Sequence, residues 1–125
     1  CPTAVNNVET LCNLPPILIN GAEWFQAMGP DKNGGPKLFC VSGHVKKPGV
    51  YEAAMKTTLR QLIYDYAGGP FDGRKIKAVI PGGSSVPILL DDQLDIPASF
   101  DDVAKAGSML GSAGIIVMDD TTCMV

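Results

Sequence analysis

Long apolar runs, histidine and paired cysteines are scarce in this sequence. The longest apolar stretches, around residues 14–19 and 114–118, are far shorter than the ~20 residues that cross a bilayer, so no membrane insertion is expected. The sequence has one histidine, and its four cysteines form no C-x-x-C pair, which argues against a zinc site or an iron–sulfur cluster held here. Cys12 and Cys40 lie in apolar patterns, which predicts buried free thiols in a reducing cytosol.

Positively charged residues are also few: the sequence has 10 Lys and Arg against 13 Asp and Glu. The net charge is -3 and only 18% of the residues are charged, so there is no basic stripe for a nucleic acid to bind. With 46% hydrophobic residues the chain is expected to be globular, and 14 glycines with 10 prolines predict many turns. The first residues, Cys1-Pro2-Thr3, lack an initiator Met, and we expect the sequence to be part of a longer polypeptide.

The first 30 residues are predicted to form a helical segment. Apolar residues recur there at helical spacing, namely Val8, Leu11, Leu18, Ala22 and Phe25. Because the pair Pro15-Pro16 removes amide donors, we expect one helix to break near Leu14 and a second to run from Pro15 to Gly29-Pro30. The polar, glycine-rich residues 31–36 predict a linker.

From residue 37 onward the pattern changes to short strands. A hairpin is predicted from strands at 38–43 and 50–53 around a turn at 44–49. Thr58 and Gln61 form a capping box for a helix that runs to Tyr66 and stops at Gly68-Gly69. Extended segments follow at 76–80 and 86–90, then a short helix at 99–105 and a buried strand at 114–118. One helix crossing a small mixed sheet predicts an α+β, β-grasp (ubiquitin-like) fold.

Most motif-like features have a structural explanation. The glycine-rich runs at 81–85 and 107–114 lack a following helix N-terminus, so turns are expected instead of phosphate or dinucleotide sites. His44 is expected to be a surface residue in a solvated turn. The acidic pairs lack the spacing of a calcium loop and are expected to be solvated turns or helix caps, at 91–92, 101–102 and 119–120.

The adjacent amides Asn6 and Asn7 leave two possibilities open. Asn7 can cap the helix that follows, in the usual role of an asparagine before a helical run. Alternatively, the amides and the outward N–H groups of the first helical turn can face a phosphate. The residues alone do not separate the two.

Eight short motifs, in one order along the chain, resemble the flavin-carrying F subunit of respiratory NADH:quinone oxidoreductase (complex I). They are residues 2–11 (PTAVNNVETL), 21–25 (GAEWF), 37–39 (KLF), 42–45 (SGHV), 48–52 (PGVYE), 67–69 (AGG), 81–85 (PGGSS) and 107–111 (GSMLG). The resemblance covers essentially all 125 residues. It implies a soluble-ligand-binding β-grasp (SLBB) domain, in agreement with the element order.

The resemblance also implies a division of the chain into parts. Residues 1–30 are the helical end of the NADH- and FMN-binding domain, 31–36 the linker, 37–120 the SLBB domain, and 121–125 the start of the connection to an iron–sulfur domain. The parent protein is implied to carry FMN and a 4Fe-4S cluster, to use NADH, and to contact other subunits of the complex I peripheral arm. Its implied place is the cytoplasmic face of a bacterial inner membrane.

In the family, the V-N-N-V-E-T motif contributes to the FMN site. The resemblance therefore implies that Val5, Asn6 and Asn7 contact the flavin, with Thr10 a weaker candidate. The family's glycine-rich NADH loop and its S-C-G-x-C-x-P-C-R cluster motif do not occur in these 125 residues. We therefore expect the segment alone to be inactive and to bind neither FMN nor a cluster.

Two other functions fit the same residues. The domain could be a binder of a small soluble ligand, with Tyr51, Tyr64 and Ser84 in its groove. Alternatively, the parent could be an NAD-linked hydrogenase or formate dehydrogenase, enzymes that share this flavin-carrying polypeptide.

Overall fold

A computed structural model describes residues 1–124 as a helical hairpin followed by a mixed sheet. The helices are α1 (Val8–Asn20), α2 (Ala22–Gln26), α3 (Leu59–Gln61, continued by a π-helical turn at Leu62–Tyr66) and α4 (Phe100–Lys105), with a 3₁₀ turn at Asp91–Gln93. The strands are β1 (Pro36–Gly43), β2 (Gly49–Ala54), β3 (Ile76–Ile80) and β4 (Gly114–Asp119). Within residues 1–124, no helix is long and apolar enough to cross a membrane.

The sheet has the strand order β2-β1-β4-β3. β1 pairs antiparallel with β2 and parallel with β4, and β4 pairs antiparallel with β3. α3 is the crossing helix that the sequence predicts, and its capping box forms as expected: the Thr58 hydroxyl accepts from the Gln61 amide at 3.1 Å, and Gln61 Oε1 accepts from the Thr58 amide at 3.0 Å. The predicted α+β, β-grasp fold is confirmed.

One core lies between the sheet and the helices that follow it. Alternate residues of β1 and β4 point into this core, as the two-residue period of a strand requires, and residues of α3 and α4 meet them. The largest fully buried side chains include Phe39, Val41, Leu59, Leu62, Ile63, Leu94, Val103 and Ile115. The expected buried strand at 114–118 is therefore buried on one face only, since Ile116 and Met118 are partly exposed.

The predicted helix break at Pro15-Pro16 is wrong. Both prolines lie inside α1, and the chain turns only at Gly21, whose φ of 90° ends the helix. Each proline deprives the carbonyl four residues earlier of its helical donor, here those of Leu11 and Cys12. Both of these residues are exposed, so water can replace the missing donors and the cost of continuing the helix falls.

Two further predictions need correction. Residues 86–90 do not form a strand; the structure has only an isolated bridge between Val79 and Leu89 there. Cys12 and Cys40 are free, as expected, but both are exposed. Cys40 follows the inward-facing Phe39 on β1 and so points to the opposite face, and no residue of α1 is buried.

Candidate functional site

The V-N-N-V-E-T motif forms the start of α1. Asn7 has extended backbone angles, and its side-chain oxygen accepts a hydrogen bond from the Glu9 amide at 2.8 Å. Its carbonyl accepts from the Leu11 amide at 3.1 Å. Asn7 therefore caps the helix, because it supplies an acceptor to an amide that has no partner within the helix.

The neighbouring residues of the motif are open to solvent. Val5 is 90% exposed, and Asn6 is exposed as well. Within the described residues, no hydrogen bond of the Asn6 side chain is present, so both its amide donors and its carbonyl are available. Thr10, one turn into α1, faces a cleft instead. The structure thus brings Val5, Asn6 and Asn7 together at one end of α1, with Thr10 on the side toward the sheet.

Glu9 fastens α1 to the sheet. One of its carboxylate oxygens accepts from the Leu38 amide at 3.2 Å, and the other lies 3.9 Å from Lys37 Nζ. Both partners belong to the first residues of β1. Because Glu9 lies two residues after Asn7, this contact links the start of α1 to the β-grasp domain.

Beside this contact, α1 and the sheet enclose an open cleft of ≈ 400 Å³. Its walls combine apolar side chains with two lysines, and they include Thr10, Leu14, Ile17, Phe25, Lys32, Lys37, Met55 and Phe100. The ammonium group of Lys37 lies 5.8 Å from the centroid of the Phe100 ring, a cation–π distance. Other apolar side chains of α1 are uncovered: Leu18 is 85% exposed, and Val8 and Ile19 are similarly open.

These residues fit one wall of a flavin site and not a complete one. The four motif residues carry amide, hydroxyl and apolar groups of the kind that contact a flavin, but they lie on an exposed helix start and enclose no cavity of their own. For an iron–sulfur cluster the fit fails: among residues 1–124, no group of three or more His, Cys, Asp or Glu side chains is arranged to hold a metal ion.

A second cluster, which sequence reasoning missed, lies at the far end of β4. The carboxylate of Asp119 is 1% exposed. One oxygen lies 2.9 Å from His44 Nδ1 and accepts from the Thr121 hydroxyl at 2.6 Å; the other accepts from Arg74 at 3.2 Å. The expectation that residues 119–120 are a solvated pair is therefore wrong for Asp119, although Asp120 is exposed. His44 is half-exposed, as expected of a surface residue, but it contacts a buried carboxylate.

These contacts favour the ionised form of Asp119. The hydrogen bonds from Thr121, aided by the charges of His44 and Arg74, hold the pKa of Asp119 below its ordinary value of 3.8 despite burial. A carboxyl group whose pKa is lower in the folded state stabilises the fold above its ordinary pKa. That contribution is lost as the pH falls through the lower, folded-state value. The cluster therefore stabilises the fold throughout the neutral range.

The three residues expected in a ligand groove have separate surroundings. Tyr51 packs edge-to-face on Tyr66, with ring centroids 6.0 Å apart, and its hydroxyl donates to the Lys47 carbonyl. Tyr64 lines a shallow cleft beside Arg60, while Ser84 is exposed in the turn after β3. These contacts do not bring the three side chains into a shared groove.

Comparison with known proteins identifies the sheet domain. Residues 37–117 match the family model of the SLBB domain. The chain is 55% identical over 124 residues to the NADH-quinone oxidoreductase F subunit 2 of Rhizobium meliloti (strain 1021), covering 99% of this chain and 30% of that protein. It is 49% identical over 124 residues to the NADH-quinone oxidoreductase F subunit of Escherichia coli (strain K12), covering 99% of this chain and 28% of that protein.

Solved structures give the same relationship. The crystal structure of an NAD+-reducing [NiFe]-hydrogenase in the air-oxidized state matches 97% of this chain with a TM-score of 0.74 and 36% sequence identity, over 20% of that protein's chain. The chain spans less than a third of the length of the relatives named here. It belongs to the SLBB domain family and is homologous, over its whole length, to a segment of the F subunit of NADH-quinone oxidoreductase.

Proposed function

We propose that the chain is the part of an NADH dehydrogenase flavoprotein subunit that closes the flavin site and spaces it from an iron–sulfur cluster. The observation that carries this proposal is the arrangement of α1. Its V-N-N-V-E-T start is exposed with an unengaged Asn6, while Glu9 fastens the same turn to a β-grasp domain with its own core. One end of the segment is thus built to face a neighbouring domain.

The sheet supports a role as a rigid spacer. Glu9 of α1 contacts the first residues of β1. At the other end of β1, its last residue, Gly43, is paired with Val117. Asp119 comes two residues after Val117 and therefore lies beyond the end of β1. β1 and β4 are parallel, so the chain arrives at one end of the central strand pair and leaves at the other. The Leu38 amide, which bonds Glu9, and the level of Asp119 are seven residues apart along the strand direction, so at about 3.3 Å per residue the two attachment points are about 23 Å apart.

In the proposed parent, bound FMN would supply the chemistry that links two-electron oxidation of NADH to one-electron reduction of a 4Fe-4S cluster. The segment's own residues would position the flavin: Asn6 and Asn7 through side-chain or backbone polar groups, Val5 through apolar contact, and Thr10 as a weaker partner. Other peripheral-arm subunits would be its partners, at the cytoplasmic face of a bacterial inner membrane. Residues 1–30 would belong to the flavin domain, 37–120 to the spacer and 121–125 to the connection beyond it.

Alanine substitution of the two asparagines in the full-length parent tests the flavin assignment. We expect Asn6→Ala to weaken FMN binding by about 2- to 10-fold, the value of one hydrogen bond, without changing helix stability. Asn7→Ala should weaken FMN binding and also cost about 1 kcal/mol through loss of the cap. Flavin fluorescence titration and thermal unfolding of the apoprotein measure the two effects.

The matched control is Asn20→Ala, at the other end of α1, where the side chain donates to the Pro16 carbonyl. It should leave FMN affinity unchanged. Equal affinity for FMN in the wild type and the Asn6 variant would remove Asn6 from the site. Tight FMN binding by the 125-residue chain alone would show that the segment is a complete site and contradict the proposal.

Replacement of residues 37–120 of the parent, the proposed spacer, by a flexible glycine–serine linker tests the spacer role. NADH should still bleach the flavin, whereas reduction of the cluster, followed by its paramagnetic signal, should become much slower because the two centres are no longer held at a fixed distance. The control is a parent with the whole segment exchanged for that of a related flavoprotein subunit, which should keep both rates. Unchanged cluster reduction with the flexible linker would refute the spacer role.

One observation favours a second parent of the same class. The NAD+-reducing [NiFe]-hydrogenase matches this chain at a TM-score of 0.74, so the same segment suits a hydrogenase flavin subunit. The identity is higher to the NADH-quinone oxidoreductase relatives, at 55% against 36%, and this favours the quinone-linked parent. The proposed roles of Asn6 and of the spacer are the same in either enzyme.

A further inference from the structure

Three separate parts of the chain converge on the buried carboxylate of Asp119. His44 comes from the β1–β2 turn, 75 positions away, and Arg74 from the loop before β3, 45 positions away. Thr121, just beyond β4, donates both its hydroxyl and its amide to the same carboxylate oxygen, at 2.6 and 3.1 Å. Arg74 also donates to the Thr121 hydroxyl at 2.8 Å. Arg74 and Thr121 thus donate to the carboxylate, while His44 Nδ1 lies 2.9 Å from one of its oxygens and accepts a hydrogen bond from the Asp119 backbone amide at 3.2 Å.

The backbone that leaves β4 is held by additional contacts. The Asp120 amide donates to the Lys75 carbonyl at 3.0 Å, and Lys77 Nζ donates to the Thr122 carbonyl at 2.7 Å. The Thr122 amide returns to the Asp119 carbonyl at 3.1 Å. Residues 120–122, which follow β4, are therefore held by hydrogen bonds to Lys75 and Lys77 at the start of β3.

Position 119 is an inward-facing position of β4. Ile115 and Val117, four and two residues earlier, lie in the hydrophobic core, and the strand period places residue 119 on the same face. An apolar side chain there would be buried without the desolvation cost of a charge. The hydrogen bonds that the carboxylate accepts from Arg74 and Thr121 are directional, so they favour one arrangement of these groups. Here the arrangement that those bonds specify is the path of residues 120–122.

We infer that Asp119 is a positioning residue, the centre of a clasp with His44, Arg74 and Thr121 that sets the direction in which the chain leaves the sheet. The inference that Asp119 positions residues 120–122 depends only on the hydrogen bonds described above. Its consequence for function rests on the proposed spacer role, in which the segment beyond β4 leads toward the next redox domain. In that setting the clasp fixes the orientation of the following domain, as Glu9 fixes that of α1.

Backbone ¹⁵N relaxation of the 125-residue chain tests the clasp. In the wild type, the amides of Asp120, Thr121 and Thr122 should have order parameters near the rigid value of about 0.85. In Asp119→Ala they should fall below about 0.6, the range of flexible backbone, while β1 and β4 stay rigid. In Arg74→Gln they should take intermediate values. Because the Arg74 side chain is 42% exposed, we expect Arg74→Gln to fold, and its order parameters test the inference even if Asp119→Ala does not fold.

Two control variants separate positioning from general stability. Asp120→Asn removes a charge one residue later on an exposed side chain and should leave all three order parameters unchanged. Leu94→Ala destabilises the core beside α3 and should lower the melting temperature without loosening residues 120–122. Wild-type order parameters in a folded Asp119→Ala or Arg74→Gln chain would overturn the inference. Since no flavin or cluster is involved, the result is independent of whether the spacer proposal holds.

Discussion

Replacement of Phe39 by alanine is expected to lower the free energy of unfolding by about 3–5 kcal/mol, the usual cost of removing a buried aromatic ring. Phe39 is 0% exposed and lies on β1, which pairs with β2 on one side and β4 on the other. Loss of the ring leaves a cavity where the hairpin, α3 and β4 meet. Since small domains are stabilised by only about 5–15 kcal/mol, this change approaches the limit of folding.

Leu38→Ala is the matched control for this prediction. Leu38 is the preceding residue on the same strand, but it points to the other face and is 47% exposed. Its replacement should change stability by about 0.5 kcal/mol or less. Urea unfolding followed by far-ultraviolet circular dichroism measures both. Similar losses from the two variants would contradict the burial pattern of β1.

Gly43→Ala is expected to destabilise the domain by about 2–5 kcal/mol, the sum of a backbone cost and a packing cost. Gly43 has a φ of +87°, and a Cβ added there would lie 2.2 Å from the carbonyl oxygen of Val117 on β4. An alanine therefore adds the cost of left-handed backbone, about 1–2 kcal/mol, to that of forcing two packed strands apart, about 1–3 kcal/mol. The same carbonyl accepts from the His44 amide at 2.8 Å, so this hydrogen bond should weaken as well.

Gly73→Ala separates the two costs. Gly73 also has a left-handed φ, of +79°, but a Cβ there would meet nothing within 4 Å. Gly73→Ala should lower the free energy of unfolding only by the backbone cost of about 1–2 kcal/mol. Urea unfolding of both variants gives the difference, which measures the close approach of β1 and β4. If Gly43→Ala cost no more than Gly73→Ala, that approach would be looser than the structure indicates.

The β-grasp fold could be predicted from the sequence because its signals are local. The hairpin, the capping box of Thr58 with Gln61, and the strand at 76–80 each depend on residues a few positions apart, and the structure has all three. The bounds of α1 could not be predicted in the same way. Whether Pro15 and Pro16 end a helix depends on the surroundings of the carbonyls that lose their donors, and exposure to solvent is a property of the folded molecule.

The same distinction, between local sequence signals and contacts that only the fold creates, applies to the candidate site. Asn7 as a helix cap follows from its position before a helical run, and the structure agrees. A role of Asn6, Asn7, Val5 and Thr10 toward a flavin remains a prediction from the resemblance. Asp119 gave no local signal, because its partners His44 and Arg74 are 75 and 45 positions away. Only the continued alternation of β4 past Val117 hints that residue 119 faces inward.

The parallel pairing of β1 with β4 has a mechanical consequence. Four residue pairs link the two strands, from Cys40 with Gly114 to Gly43 with Val117. Tension between the start of β1 and the end of β4 pulls the strands along their length in opposite directions. Their hydrogen bonds then bear the load together, in shear, and are not peeled apart singly. A domain strained by the movement of its neighbours would resist elongation most strongly along this axis.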